Sequence, residues 1–286
     1  MKSALTLNEL VGRQNRHTRW ELVERIPLAF PTHHPQGLAF VGDYIFLSSV
    51  EVLDKPLNVF DPTLSTPGRG IGHIFVTDHA GKLLKDITIG SGDMYHPGGI
   101  DFDGTNVWVP VGEYRPKGKS MILTIDAKNF QVTERFQVKD SIGWALSNSE
   151  TGSVYGGNWG SREFYAWSSD GKELDRWKNP SSFIDYQDSQ FAGNGQVICG
   201  GIANLPQSNG LGDYELGGMA IVDFTNRRIN YETPIQFFSS AGHVLTRNPF
   251  ALTSENDDLF LHVAPDDGFD LHGTEILTFK ASNLLL

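Results

Sequence analysis

Two stretches of this sequence match without a gap, His34 to Glu51 and His96 to Glu113. His34 falls on His96, Pro35 on Pro97, Gly37 on Gly99, Phe40 on Phe102, Gly42 on Gly104 and Glu51 on Glu113. Between these anchors apolar residues replace apolar ones: Leu38 by Ile100, Ile45 by Val107, Phe46 by Trp108. A repeated strand–turn–strand unit restricts a fold severely, because one unit cannot bury its apolar face alone and must stack on copies of itself.

Further copies follow. "DSIGWALSNSETGSVYGGNW" begins at Asp140, "DYQDSQFAGNGQVICGGI" at Asp185, and a fifth, least regular copy runs from Gly242 to Gly268. Each copy is followed by two strand-like runs with turn chemistry between them, such as Asp170-Gly171-Lys172, where glycine supplies the positive φ of a tight turn. Ile122, Thr124 and Asp126 alternate with Leu123 and Ile125, the period of two that marks a strand. Four strands per copy make a propeller blade.

The last unit has three strands before the chain reaches Leu286, and "RWELVERIPLAF" (19–30) belongs to no complete unit. Placing that segment in the last blade closes the ring and removes open sheet edges. The expectation is an all-β, five-bladed β-propeller over 19–286, closed by its N-terminal strand, with residues 1–18 as an extension. Six blades is the alternative, since the uneven fifth copy has room for another. The long connections 52–72 and 203–218 follow second strands and are expected to be loops on one face.

A net charge of -11 excludes the concentrated basic surface that nucleic acid requires. No run of 18 apolar residues suggests a membrane span. Residues 1–20 lack the apolar stretch of a secretory signal, and Cys199, the single cysteine, forms no intrachain disulfide, so the expected location is cytoplasmic. No Gly-rich dinucleotide turn and no P-loop appears, so no nucleotide cofactor is expected. No GxSxG elbow is present either.

In a blade, the segment leading into the inner strand and the segment leaving the second strand open on the same face. That rule gathers His34, His96 and Asp188 from inner strands, Glu51 and Glu113 from strand ends, and His243 and Arg247 from the irregular fifth copy, with Asp266 and Asp267 at its strand exit. His34, Glu51, His96, Glu113, Asp188 and His243 are therefore the candidate catalytic residues, as His and Glu transfer protons near neutral pH. Imidazoles from different blades suit one divalent metal ion, and His34, His96 and His243 are the candidate ligands. Arg115 and Arg247 can hold an anionic group, and Trp159 stands where it can face a substrate. The plain structural alternative is that His-Pro punctuates the start of a strand and its ring satisfies a buried backbone group.

"HPQGLAF…FLSSVE", "YHPGGIDFDG…VWVPVGEYRP", "NPSSFIDYQD", "YELGGMAIVD" and "SAGHVLTRNP" together resemble a family of bacterial and fungal proteins of similar length that brings no assigned reaction. More remotely, the blade pattern is similar to the gluconolactonase, paraoxonase and strictosidine-synthase-like propellers. That resemblance implies a site in the channel mouth, commonly around a metal, although their Asn-rich calcium pattern is not evident here. The expected function is an enzyme acting on a small, anionic organic substrate by metal-assisted or His/Glu acid–base chemistry, such as lactone or ester hydrolysis, elimination or isomerisation. A cofactor-free cyclase and a non-catalytic propeller that binds a ligand or protein are the alternatives. No oligomeric state follows from the sequence.

Overall fold

Strand pairing turns the repeat into geometry. In the computed structural model, which describes residues 5–57, 65–207 and 213–285, His34 lies opposite Val50 and His96 opposite Gly112. Each histidine thus faces the residue just before the repeated glutamate. At the far end of the same hairpins, Ala39 pairs with Phe46 and Asp101 with Trp108, again at matching places.

Five antiparallel sheets form a five-bladed propeller. Their inner strands are His34–Val41, Met94–Pro97 with Asp101–Phe102, Ile142–Asn148, Asp185–Phe191 and Phe250–Glu255. The fifth blade takes Arg19–Pro27 as its outer strand, paired antiparallel with Glu275–Ser282. The closure expected from residues 19–30 is therefore what the chain does. No helix among the described residues is long and apolar enough to cross a membrane.

Apolar packing fills the wedges between neighbouring blades. Val76, Ile87, Val109 and Leu123 share one buried cluster, and Trp144, Phe164, Tyr186 and Phe224 share another. Each buried side chain of this size is worth about 1.5–3 kcal/mol. The N-terminal extension joins this packing. Its short helix Leu7–Gly12 carries a capping box between Thr6 and Glu9 and buries Leu10 and Val11 in the core shared by blades 4 and 5.

Asp188 ties the ring at its axis. Its carboxylate accepts backbone N–H bonds from Leu38 (2.9 Å) and Phe250 (3.1 Å) on one oxygen and from Ile100 (2.9 Å) and Ser189 (2.9 Å) on the other. Those donors come from blades 1, 5, 2 and 4. Inner strands can converge this closely only where side chains are missing: a Cβ on Gly99 would lie 2.5 Å from Asp188 Oδ1, and one on Gly37 would lie 2.7 Å from Ile100 N. Gly99 also donates to Gly143 O at 2.8 Å, bringing blade 3 into the same hub.

Two expected loops begin and end as paired strand. The ribbon Gln196–Pro206 pairs with Asp213–Asp223 as far as Pro206↔Asp213, and Tyr44–Asp54 pairs with Arg69–Thr77 as far as Asp54↔Arg69. Residues 58–64 and 208–212 of those connections lie outside the described residues. Both ribbons continue the alternation of the strands below them, so the pairing extends past the blade body.

Candidate functional site

The face where the inner strands begin carries a cavity of about 800 Å³. Blade 1 supplies His33, His34, Glu51 and Lys55 to its wall, blades 2 and 3 supply Tyr114 and Trp159, and blade 5 supplies Arg247, Asp267 and Phe269. Tyr114 and Trp159 pack with ring centroids 5.4 Å apart and form an aromatic part of the wall. Trp159 sits in a single 3-10 turn at the exit of the second strand of blade 3 and is 37% exposed, so its ring is open to an occupant.

His34 Nδ1 lies 2.6 Å from Asp267 Oδ1, and Arg247 Nη2 donates to Asp267 Oδ2 at 3.2 Å. Asp267 is buried between them. Burial alone would raise its carboxyl, but the His34 bond and the Arg247 guanidinium outweigh burial and hold it below the usual range. A carboxylate on Nδ1 fixes the tautomer and leaves Nε2 as the atom that can take a proton. The segment carrying Asp267 is itself fixed. Gly268 N donates to His33 O at 2.7 Å, Asp267 N to Asp270 Oδ2 at 2.7 Å, and Thr274 Oγ1 to Asp266 O at 2.9 Å.

A second cluster lies on the blade 1 side of the same cavity. Ligand atoms of His33, Glu51 and His73 all lie within 4.8 Å of one another, the one such group of three among the described residues. His73 and Glu51 are diagonal neighbours on paired strands: Ser49 pairs with His73 and Glu51 with Ile71, which places 49, 51, 71 and 73 on one face. His73 Nδ1 bonds Asp86 Oδ1 at 2.9 Å, and its buried Nε2 has no hydrogen-bond partner, with Glu51 Oε2 3.9 Å away. His33 adopts φ 57°, a left-handed conformation uncommon outside glycine, which turns its ring to stack on His73 at 5.1 Å. Burial lowers the His33 pKa, as does the His73 charge, against the opposing pull of Glu51 and Asp86.

The equivalent corner of blade 2 is closed. His96 is pushed down to about 3 by burial, so the ring is neutral, and its enclosed Nε2 has no hydrogen-bond partner. Its ring packs on Tyr114 at 4.2 Å. Glu113 is 8% exposed and bound by Arg115 Nε at 2.7 Å, while Arg115 Nη1 donates to Ser65 O at 3.1 Å. The void beside His96 and Glu113 measures about 40 Å³, room for a water molecule and not for an organic substrate.

The sequence thus gathered more residues than the structure brings together. His34, Arg247, Glu51 and Trp159 line the large cavity, whereas His96 and Glu113 line the small void. His34, His96 and His243 do not form a group of ligand distance; His243 bonds Glu215 through Nδ1 at 3.0 Å and lies 3.7 Å from Asp270 through Nε2. Its carboxylate neighbours come from the blade 4 ribbon and the blade 5 loop. Arg115 is held by Glu113 and the blade 1 connection instead of lining the cavity. Asp188 is an axial tie, with 0% exposure. Sequence reasoning missed His33, His73 and Tyr114. The signals that could have found them are the doubled histidine at 33–34 and the strand parity that sets His73 beside Glu51.

The chain belongs to a family of unknown function, DUF6454, whose profile matches residues 4–276. No curated protein matches it. Among solved structures, a protein of unknown function from Bacteroides caccae is similar over 88% of this chain and 77% of its own, at 14% identity and a TM-score of 0.48. A chain of a nidogen/laminin complex is similar over 86% of this chain and 85% of its own, at 14% identity and a TM-score of 0.45. A chain of hydrazine synthase from Kuenenia stuttgartiensis is similar over 84% of this chain and 58% of its own, at 10% identity and a TM-score of 0.44. At these values none bears on chemistry.

Proposed function

We propose that this protein is an enzyme acting on a small organic substrate in the 800 Å³ cavity, with His34 as the proton-transferring group. One observation carries the reading: His34 is bonded at 2.6 Å to a buried carboxylate that Arg247 also holds, and the same ring lines the cavity. A histidine oriented by a buried acid is the arrangement general acid–base catalysis uses, whether the proton comes from water in lactone or ester hydrolysis or from carbon in elimination and isomerisation. Asp267 acts as a positioning residue in this scheme.

Lys55 and Arg247 line the cavity beside His34, which favours a substrate carrying an anionic or strongly polarised oxygen group. Tyr114 and Trp159 offer an aromatic surface to its carbon skeleton. The test is a panel of lactones, esters and hydroxy acids assayed with wild-type protein and His34→Gln. Turnover that falls about 10²–10⁴-fold in the variant, with an unchanged melting curve, is the expected result. Turnover unaffected by His34→Gln removes the role given to His34.

A non-catalytic reading has one observation in its favour. Phe269 and Leu271, beside the cavity mouth, are 76% and 84% exposed, a surface that suits a protein partner. It predicts no turnover across the panel and unchanged ligand binding in His34→Gln.

A further inference from the structure

We infer that His33, Glu51 and His73 form a binding site for one divalent first-row transition metal ion, opening on the cavity that holds His34. This goes beyond the acid–base reading and does not depend on it. The donor set is two imidazoles and one carboxylate, the mixture that suits zinc, manganese, iron or cobalt and not the all-oxygen shell that calcium and magnesium prefer. Three protein ligands leave coordination positions free, and His33 and Glu51 both line the cavity, so those positions face the space a substrate would enter.

Three features separate this cluster from a chance meeting of polar side chains. First, His73 is 7% exposed and its Nε2 is a buried polar atom with no hydrogen-bond partner, directed at the cluster. An atom left so unpaired is destabilising, and a coordinated cation would satisfy it. Second, the other nitrogen of that ring is bonded to the Asp86 carboxylate at 2.9 Å. A carboxylate behind the ring fixes Nε2 as the lone-pair nitrogen, as in metal sites generally. Third, His33 stands at φ 57°, a backbone cost that needs a local return.

The distances fit with modest closure. Ligand atoms spread over as much as 4.8 Å must approach one another by roughly 1 Å to meet bonds of about 2.0–2.2 Å to zinc. Glu51 and His33 are both partly exposed, whereas His73 is buried and bonded to Asp86, so closure falls on the first two.

The experiment uses the full chain, stripped with a chelator and titrated with Zn²⁺ by calorimetry and with Co²⁺ by visible absorbance. One equivalent should bind, with a Co²⁺ ligand-field spectrum, and saturation at a hundredfold excess over Kd should raise Tm by about 5 °C. Glu51→Gln and His73→Ala should abolish the spectrum and the shift. Asp86→Asn should weaken binding about 10–100-fold. His243→Asn, outside the cluster, should bind normally. Wild-type protein that binds no stoichiometric ion overturns the site, and so does binding that survives both Glu51→Gln and His73→Ala or is lost in His243→Asn. Because Glu51→Gln leaves the buried part of the cluster intact, loss of binding is readable even if His73→Ala unfolds. Turnover by metal-free protein would reject a catalytic role for the ion and leave the role of His34 standing.

Discussion

Blades 1 and 2 begin from the same sentence of sequence and finish as different chemistry. Both histidines face the residue before a glutamate, and in both blades the residue four positions on gives one backbone N–H to Asp188. In blade 1 the histidine bonds Asp267 at the rim of a large cavity and the glutamate stands free beside His33 and His73. In blade 2 the histidine is enclosed and neutral and the glutamate is locked by Arg115. The repeat fixes where a side chain starts. What it does is decided by the blade next door: blade 5 offers Asp267 to His34, whereas Tyr114 covers His96.

The largest expected effect falls on what the two corners share. Asp188→Ala leaves the N–H groups of Leu38, Ile100, Ser189 and Phe250 without their acceptor at once. Each such loss costs about 1–3 kcal/mol, so the variant should lose at least about 4 kcal/mol, a large part of a typical domain's stability. Urea unfolding measures it. A loss below about 1 kcal/mol would show that the two corners are held separately and not through one axial tie.

A second contrast sets the corners against each other. His96→Ala removes an enclosed ring packed on Tyr114 and should cost about 1–3 kcal/mol. His34→Ala, at the cavity rim, should stay within about 1 kcal/mol of wild type, because Arg247 still bonds Asp267. Melting curves of the two variants reversing this order would make His34, not His96, the histidine that holds its corner together.

A pH-dependent contrast lies at the other end of the same strands, where blade 2 has Asp101 in place of Ala39. Burial raises Asp101 from 3.8 to about 7, against the bond it accepts from Phe191 N. A raised carboxyl binds its proton more tightly in the folded protein. Its contribution is therefore complete below about pH 3.8 and is lost as pH rises through about 7. Asp101→Asn keeps an acceptor for Phe191 and should flatten the fall in urea midpoint between pH 4.5 and 8. Parallel pH profiles for the two proteins would show that the folded carboxyl titrates normally.

Much of this molecule was legible from its residues. Strand alternation, turn glycines and the gapless match of 34–51 with 96–113 are local properties, and local properties specify strands, hairpins and their number. The unpaired strand-like segment 19–30 and the three-stranded last unit determined the closure, since an open edge is costly whatever surrounds it. Contacts between blades are of another kind. His34 meets Asp267 across 233 positions of sequence, and Asp188 reaches Leu38 across 150. No periodicity encodes such meetings, because they depend on how five wedges pack about one axis. Tertiary packing therefore sent His243 to Glu215, closed His96 behind Tyr114 and brought His33, a residue outside any strand, onto His73. The sequence determined the ring and the face on which chemistry can occur; the packing of blade against blade decided which histidines share it.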